Sequence, residues 1–242
     1  MDEQSWIKAD WSAPTHIKAG CTTRIGGHSL GPYASLNMAM HVGDDPQHVQ
    51  VNRDSLKQYL HLPQDPHWLT QVHGCRVSSD DHVLGEADAC LTSQPGRVCV
   101  VMTADCLPVL ITDKHGRCVA AVHAGWRGLA NGVIGQTIQR LPVAATELQV
   151  WLGPAIGPQA FEVGEDVLHS FVGLDDRYRD AFVPRKNKWL MDIYRTARLQ
   201  LGMLGVSDVS GGDYCTFEQV ELFYSYRCEK QTGRMASLIW ME

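Results

Sequence analysis

Apolar positions along this chain of 242 residues follow two rhythms. Between Asp45 and His61, Val49, Arg53, Leu56 and Leu60 recur at helical spacing, with Asp45 placed to cap and Pro46 suited to the first helical position. Gly132–Leu141 and Leu190–Leu204 read as two further helices. Elsewhere the apolar residues come in short continuous runs: Ile17–Thr22, Trp68–Val72, Val98–Met102, Val109–Thr112, Cys118–His123, Leu148–Leu152 and Ala236–Trp240. Their β-branched content and turn-like flanks predict strands, buried on both faces where the run is unbroken. The stretch from Gly26 to Tyr33 is rich in turn residues. Strands and helices thus mix in an α/β (α+β) chain. No repeat, low-complexity tract or Gly/Ser/Pro linker divides it, so one domain over residues 1–242 is expected.

Composition adds exclusions. Hydrophobic residues make up 44% of the chain and charged residues 20%, which suits a packed core and not a disordered chain. A formal charge of −6, with no block of like charges, argues against a nucleic-acid partner, which needs a concentrated basic face. The first residues show no basic region followed by an apolar run, and no stretch approaches the roughly 20 apolar residues of a membrane span. A cytoplasmic protein with no membrane partner is therefore expected. Its eight cysteines (Cys21, Cys75, Cys90, Cys99, Cys106, Cys118, Cys215 and Cys228) lack close pairing. They read as thiols in a reducing compartment, available for chemistry.

Three residues stand where apolar runs meet glycine-containing turns. His73 follows Trp68–Val72 and precedes Gly74; Cys106 sits between two strand-like runs in Thr103-Ala104-Asp105-Cys106; His123 ends a run and opens Ala124-Gly125-Trp126-Arg127-Gly128. Strand ends fix position, and glycine lets a ligand approach the backbone. Two imidazoles and a thiolate suit zinc with one position left open. The spacing is not that of a structural finger, with its close cysteine pairs, and for each residue taken singly a satisfied histidine or a buried thiol is the commoner outcome.

Around these positions the motifs become specific. Gln71-Val72-His73-Gly74, Thr103-Ala104-Asp105-Cys106-Leu107-Pro108-Val109 and His123-Ala124-Gly125-Trp126-Arg127-Gly128 resemble the defining motifs of the bacterial YfiH/PgeF family, whose animal relatives are laccase-domain proteins such as FAMIN. Further similarity runs through Thr22–Gly27, Ser35-Leu36-Asn37, Gly153–Pro158, Phe161–Gly164, Phe223–Arg227 and Thr232–Ala236, and so covers the chain from Thr22 onward. Cys21 and Cys228 depart from the pattern without touching the three positions. The resemblance implies that His73, Cys106 and His123 bind zinc. It also implies a single-domain sandwich of mixed β-sheets flanked by helices, similar to the cytotoxic necrotising factor catalytic domain. The implied activities are phosphorolysis of purine nucleosides (adenosine, inosine, guanosine, methylthioadenosine) and adenosine deamination, with purine nucleoside and inorganic phosphate as partners.

Phosphorolysis needs a phosphate held beside C1′, stabilisation of a cationic sugar and a donor for the departing purine. Arg24 and Arg127 are the phosphate candidates, with structural salt bridges as the competing role. Asn37 can bond a ribose hydroxyl or a base edge, or simply stabilise a turn. Asp105 can orient a histidine, accept a proton or cap a turn. Trp126 can stack on a base or pack in the core. The H-x-E…P-C-x-x-C deaminase signature is absent, so deamination rests on the resemblance alone. Two rival chemistries stay open. In one, Cys106 is a nucleophile and His123 its base in a hydrolase or amidase acting on peptidoglycan precursors. In the other, copper replaces zinc with Met102 as axial ligand in a polyphenol oxidase, although no His-x-His pair exists for a multicopper cluster.

Overall fold

Unbroken apolar runs supply the central strands of two stacked sheets. The computed structural model describes residue 1 and residues 3–242. In chain order the elements are β1 (Trp6–Lys8), β2 (Ile17–Thr22), α1 (Pro46–Tyr59), β3 (Val77–Ser78), β4 (Ala89–Thr92), β5 (Cys99–Thr103), β6 (Leu107–Asp113) and β7 (Val119–Ala124). There follow α2 (Trp126–Ala130), α3 (Val133–Ile138), β8 (Leu148–Leu152), β9 (Glu162–Val163), α4 (Glu165–Val172), β10 (Phe182–Arg185), β11 (Lys188–Met191), α5 (Ile193–Met203), β12 (Asp208–Gly211), α6 (Tyr226–Glu229) and β13 (Met235–Met241).

One sheet is antiparallel, in the order β1-β2-β13-β5. The second runs β12-β8-β6-β7-β4-β3; its centre is antiparallel and both edge pairs are parallel. A small antiparallel sheet, β10-β11-β9, stands apart. Side chains alternate between strand faces, and the alternation sorts the core into layers. Ile17, Ala19, Val101 and Ile239 of the first sheet meet Leu110, Val119, Ala121 and Trp151 of the second. The outer face of the first sheet packs Val100, Met102 and Leu238 against Leu56 of α1. The outer face of the second packs Val109, Ile111, Val122 and Val150 against α3, α4 and α5 through Ile134, Phe171 and Leu201. The result is the expected mixed-sheet sandwich flanked by helices.

The topology places Cys106 at a crossing point. β5 belongs to the first sheet and β6 to the second, so Ala104-Asp105-Cys106 carries the chain from one to the other at an open end of the sandwich. β7 finishes at the same end, with His123 opposite Pro108.

Helix α1 begins as its signals predict, the Asp45 carboxylate accepting from Gln47 N at 2.8 Å with Pro46 in the first turn. Three expectations need correction. Trp68–Val72 is not a strand: within it only Thr70 makes an isolated bridge, to Glu86, and His67 just before it makes another, to Cys99. There the Gln71 side-chain amide pairs with Met102, its Nε2 donating to the carbonyl and its Oε1 accepting from N–H, both at 2.7 Å. A side chain thereby takes the place of a neighbouring backbone. The helix expected over Gly132–Leu141 is shorter, Val133–Ile138, and starts from Gly132 in the left-handed region (φ 81). Leu190 and Met191 end β11, and the following helix starts only at Ile193, where the Asp192 carboxylate accepts from Arg195 N at 2.8 Å.

The β6–β7 turn depends on Asp113. Its buried carboxylate accepts from the backbone of His115, Arg117 and Cys118 and from Arg117 Nε. Burial pushes this carboxyl up, but the bonds from Arg117 and the turn amides outweigh it and hold the group below the usual range. Asp113→Ala leaves the buried Cys118 amide and the turn amides of His115 and Arg117 without their acceptor and is expected to cost about 1–3 kcal/mol in urea unfolding at neutral pH. Because the folded value is depressed, this stabilisation is fully present above about pH 4 and is lost as pH falls through the folded value. Equal urea midpoints for the variant and the parent at neutral pH would contradict this.

Candidate metal centre and active site

His73 occupies the left-handed backbone region (φ 60), a conformation that costs a non-glycine residue free energy unless its surroundings impose it. Asp88 imposes it. The buried Asp88 carboxylate accepts from three successive amides: Val72 N at 3.3 Å, His73 N at 2.9 Å and Gly74 N at 2.7 Å. Its Oδ1 also faces His123 Nδ1 at 2.8 Å. One carboxylate thus ties the loop bearing His73 to the strand bearing His123. It also fixes the His123 tautomer, with Nδ1–H donating to Asp88 and Nε2 left for other work.

Cys106 completes the group. Its Sγ lies 3.8 Å from His73 Nε2, and the two imidazoles meet edge to face with centroids 4.7 Å apart. One ligand atom from each of the three residues falls within 4.8 Å of the others. Gly125 makes room, because a Cβ there would sit 3.0 Å from Cys106 Sγ and 3.1 Å from His73 Cδ2. Burial pushes the Cys106 thiol up, but the charge of His123 and hydrogen bonds from His123 and His73 reverse this and bring it well below its ordinary value. For His123, burial works downward, and the Cys106 charge with the Asp88 hydrogen bond raises it. The pair therefore favours a thiolate beside an imidazolium. A cation bound by His73, Cys106 and His123 would meet a thiolate already favoured, and the proton on His123 would have to leave.

The ligand set fits a metal. A thiolate and two imidazoles, the second oriented by a carboxylate behind it, match the zinc preference for sulfur and nitrogen with one position open. Two histidines and a cysteine also suit a single copper. Met102, considered as an axial ligand, is among the residues lining the same cavity, while its Sδ lies 4.0 Å from Arg53 Nη2 and its side chain belongs to the cluster packed against α1. Among the described residues this is the one group of three or more such side chains placed to hold a metal.

The group opens into a cavity of about 690 Å³, within the range of small-molecule sites. Trp126, Phe161 and Tyr226 give it aromatic surface, Arg127, Arg227, Lys230 and Arg234 give it cationic groups, and His41, which burial and the charges of Arg234 and Arg53 push toward the neutral form, also lines it. Of the residues expected at the site, His73, Cys106, His123, Asp105 and Arg127 line this cavity. Arg127 is exposed and lies over the Trp126 ring, 4.4 Å from its centroid. Arg24 and Asn37 are not in the lining. Arg24 donates to the carbonyls of Ala34 and Val220, pairs with Glu229 at 3.2 Å and stacks on Tyr224. Asn37 is fully buried and bonds Ala39, Asp44 and Arg234 N. Asp105 bonds no histidine: its carboxylate accepts from Thr216 Oγ1 at 2.7 Å and Arg227 N at 2.6 Å, on a left-handed backbone (φ 85). The histidine-orienting role falls to Asp88. A lone acid ahead of an apolar run carries no local signal of that role. Arg227 and Arg234 were legible only as members of the motifs Phe223–Arg227 and Thr232–Ala236.

With this geometry in hand, comparison with known proteins places the chain. It belongs to the multi-copper polyphenol oxidoreductase laccase family, whose profile matches residues 18–242. Within that family it is 50% identical over 241 residues to a Pseudomonas aeruginosa protein named purine nucleoside phosphorylase, covering 98% of this chain and 99% of the relative. It is 47% identical over 238 residues to the Escherichia coli purine nucleoside phosphorylase YfiH, covering 97% and 98%. A crystal structure of a Neisseria meningitidis protein superposes with a TM-score of 0.94 at 45% identity, covering 98% and 99% of the two chains. YlmD from Geobacillus stearothermophilus superposes at 0.89 with 30% identity, covering 100% and 98%.

Asp88→Asn removes the charge behind His123 while keeping the size of the side chain. Zinc affinity, measured by competition with a chromophoric chelator, is expected to fall roughly 10- to 100-fold, the usual cost of losing such a partner. Unchanged affinity would show that Asp88 does not tune the centre.

Proposed function

We propose that this protein is a zinc-dependent purine nucleoside phosphorylase that also deaminates adenosine. The observation that carries this reading is a single cavity bringing together a thiolate–imidazole ligand set, aromatic faces and cationic groups. Those are the surfaces that a metal, a purine and a phosphate would each require. The names of the relatives from Pseudomonas aeruginosa and Escherichia coli support the same activity.

In phosphorolysis a phosphate oxygen bonds C1′ of the sugar as the bond from C1′ to the purine nitrogen breaks, giving free base and sugar 1-phosphate. Zinc, when bound to His73, Cys106 and His123, supplies a concentrated positive charge that polarises a substrate group. The chain's own residues do the rest. Trp126 and Phe161 offer faces for the base, and Arg127, over Trp126, lies at the edge of the same surface. Asp105, whose carboxylate accepts from Thr216 Oγ1 and Arg227 N at the cavity wall, holds the segment of Cys106 in place and is also a candidate proton acceptor.

One observation favours a second reading. Cys106, His123 and Asp88 form a thiolate–imidazole–carboxylate series, the arrangement of a cysteine hydrolase. In that case Cys106 would attack an amide of a peptidoglycan precursor and no metal would be needed. Oxygen reduction at a copper cluster has less support, because the described residues place only three side chains at the site.

Chromatography of adenosine incubated with and without phosphate separates these readings. Adenine formed only with phosphate is expected, together with some inosine. No cleavage of any purine nucleoside, with rapid alkylation of Cys106 in zinc-free protein as purified, would transfer the assignment to the hydrolase. His73→Ala and Cys106→Ala are each expected to reduce turnover more than about 100-fold, exceeding the loss typical of residues behind the ligands. Full turnover in either variant would contradict the ligand assignment.

A further inference from the structure

Four side chains with permanent charge line the cavity, Arg127, Arg227, Lys230 and Arg234, and none has a carboxylate at salt-bridge distance among the described residues. Elsewhere in the chain arginines find acids readily, as Arg97 does with Asp80, Arg117 with Asp113 and Glu147, and Arg177 with Asp175. Arg227 and Arg234 are also partly buried, unlike exposed Arg127 and Lys230. Arg234 is within reach of the charges of Cys106 and Asp105 but in direct contact with no carboxylate, and a guanidinium withdrawn from water without a directly paired anion is costly unless one is supplied.

Both forks are anchored at one end only. Arg227 Nη1 donates to the Glu162 carbonyl at 2.8 Å, and Arg234 Nη1 donates to the carbonyls of Thr232 and Gly233 at 2.9 and 2.8 Å. The side chains lie near the Phe161 and Tyr226 rings. In each guanidinium Nε and Nη2 have no protein partner among the described residues, which leaves two parallel N–H groups for a tetrahedral or planar oxyanion. We propose that Arg227 and Arg234 form the oxyanion subsite of the cavity and that its occupant is inorganic phosphate. The identity of the anion rests on the phosphorolysis reading; the subsite does not.

The residues one step behind explain how the subsite is held. The segment from Tyr226 to Arg234 carries both forks, and Arg24 grips it through Glu229, whose carboxylate also accepts from Thr232 Oγ1 at 2.8 Å. Asn37 Oδ1 accepts from Arg234 N at 2.9 Å. Asp105 accepts from Arg227 N and is adjacent to Cys106 in the chain, so one residue sets the spacing between the anion and the metal ligands. Arg24 and Asn37 are therefore positioning residues for the phosphate.

Calorimetric titration of inorganic phosphate into the purified metal-loaded protein tests this directly. Arg227→Gln and Arg234→Gln are each expected to weaken phosphate binding roughly 10- to 100-fold, the worth of a lost charge-assisted bond. Zinc content should stay at the parent level in both. Arg24→Gln and Glu229→Gln should weaken binding less, and the double variant no more than the stronger single change, because the two act through one ion pair. Arg177→Gln, which removes a surface charge elsewhere, should leave binding unchanged. Equal binding in all variants, an equal loss in Arg177→Gln, or no heat of phosphate binding in the parent protein would each overturn the subsite. Binding that follows the expected order, in a protein that cleaves no nucleoside with phosphate, would keep the subsite and overturn the reaction.

Discussion

The site depends on one buried carboxylate. Asp88 gathers three consecutive amides from the loop carrying His73 and the Nδ1–H of His123, and so holds two chain segments distant in sequence at one spacing. A carboxylate buried this deeply would be costly alone. Here burial pushes its pKa up, and the hydrogen bond and charge of His123 with those amide bonds more than reverse that. The same contacts hold His73 in a backbone region it would otherwise avoid. Stability and ligand geometry are therefore two consequences of one interaction.

The sandwich places the third ligand by topology. Cys106 lies where the chain passes from the last strand of one sheet to a central strand of the other, and its partner His123 closes the neighbouring strand at the same end. Gly125 lets the turn after His123 close down on the sulfur and the His73 ring. Asp105, one residue earlier, extends the coupling to the segment that carries Arg227 and Arg234. Metal ligands and cationic groups thus share a framework of short backbone contacts.

Much of this was legible from residue patterns. Buried strands such as Leu148–Leu152 and the capped helix after Asp45 follow from local apolar spacing and cap chemistry. His73, Cys106 and His123 stood out by chemistry and by the motifs around them. What was hidden involves side chains acting at long range. Gln71 replaces a strand partner, which apolar periodicity over Trp68–Val72 cannot reveal. Arg24 and Asn37 have the chemistry of substrate contacts, yet their partners, Glu229 and Arg234 N, lie about two hundred residues away in the chain. Asp88 is one acid among 27 acidic residues, and only the fold brings it behind His123.

X-ray absorption at the zinc edge of the purified protein addresses the centre itself. The expected first shell holds one sulfur at about 2.3 Å and two imidazole nitrogens at about 2.0–2.1 Å, with a remaining light-atom ligand. The sulfur should disappear in Cys106→Ser. A shell of nitrogen and oxygen alone in the parent protein, or a sulfur that persists in that variant, would contradict a centre built from His73, Cys106 and His123.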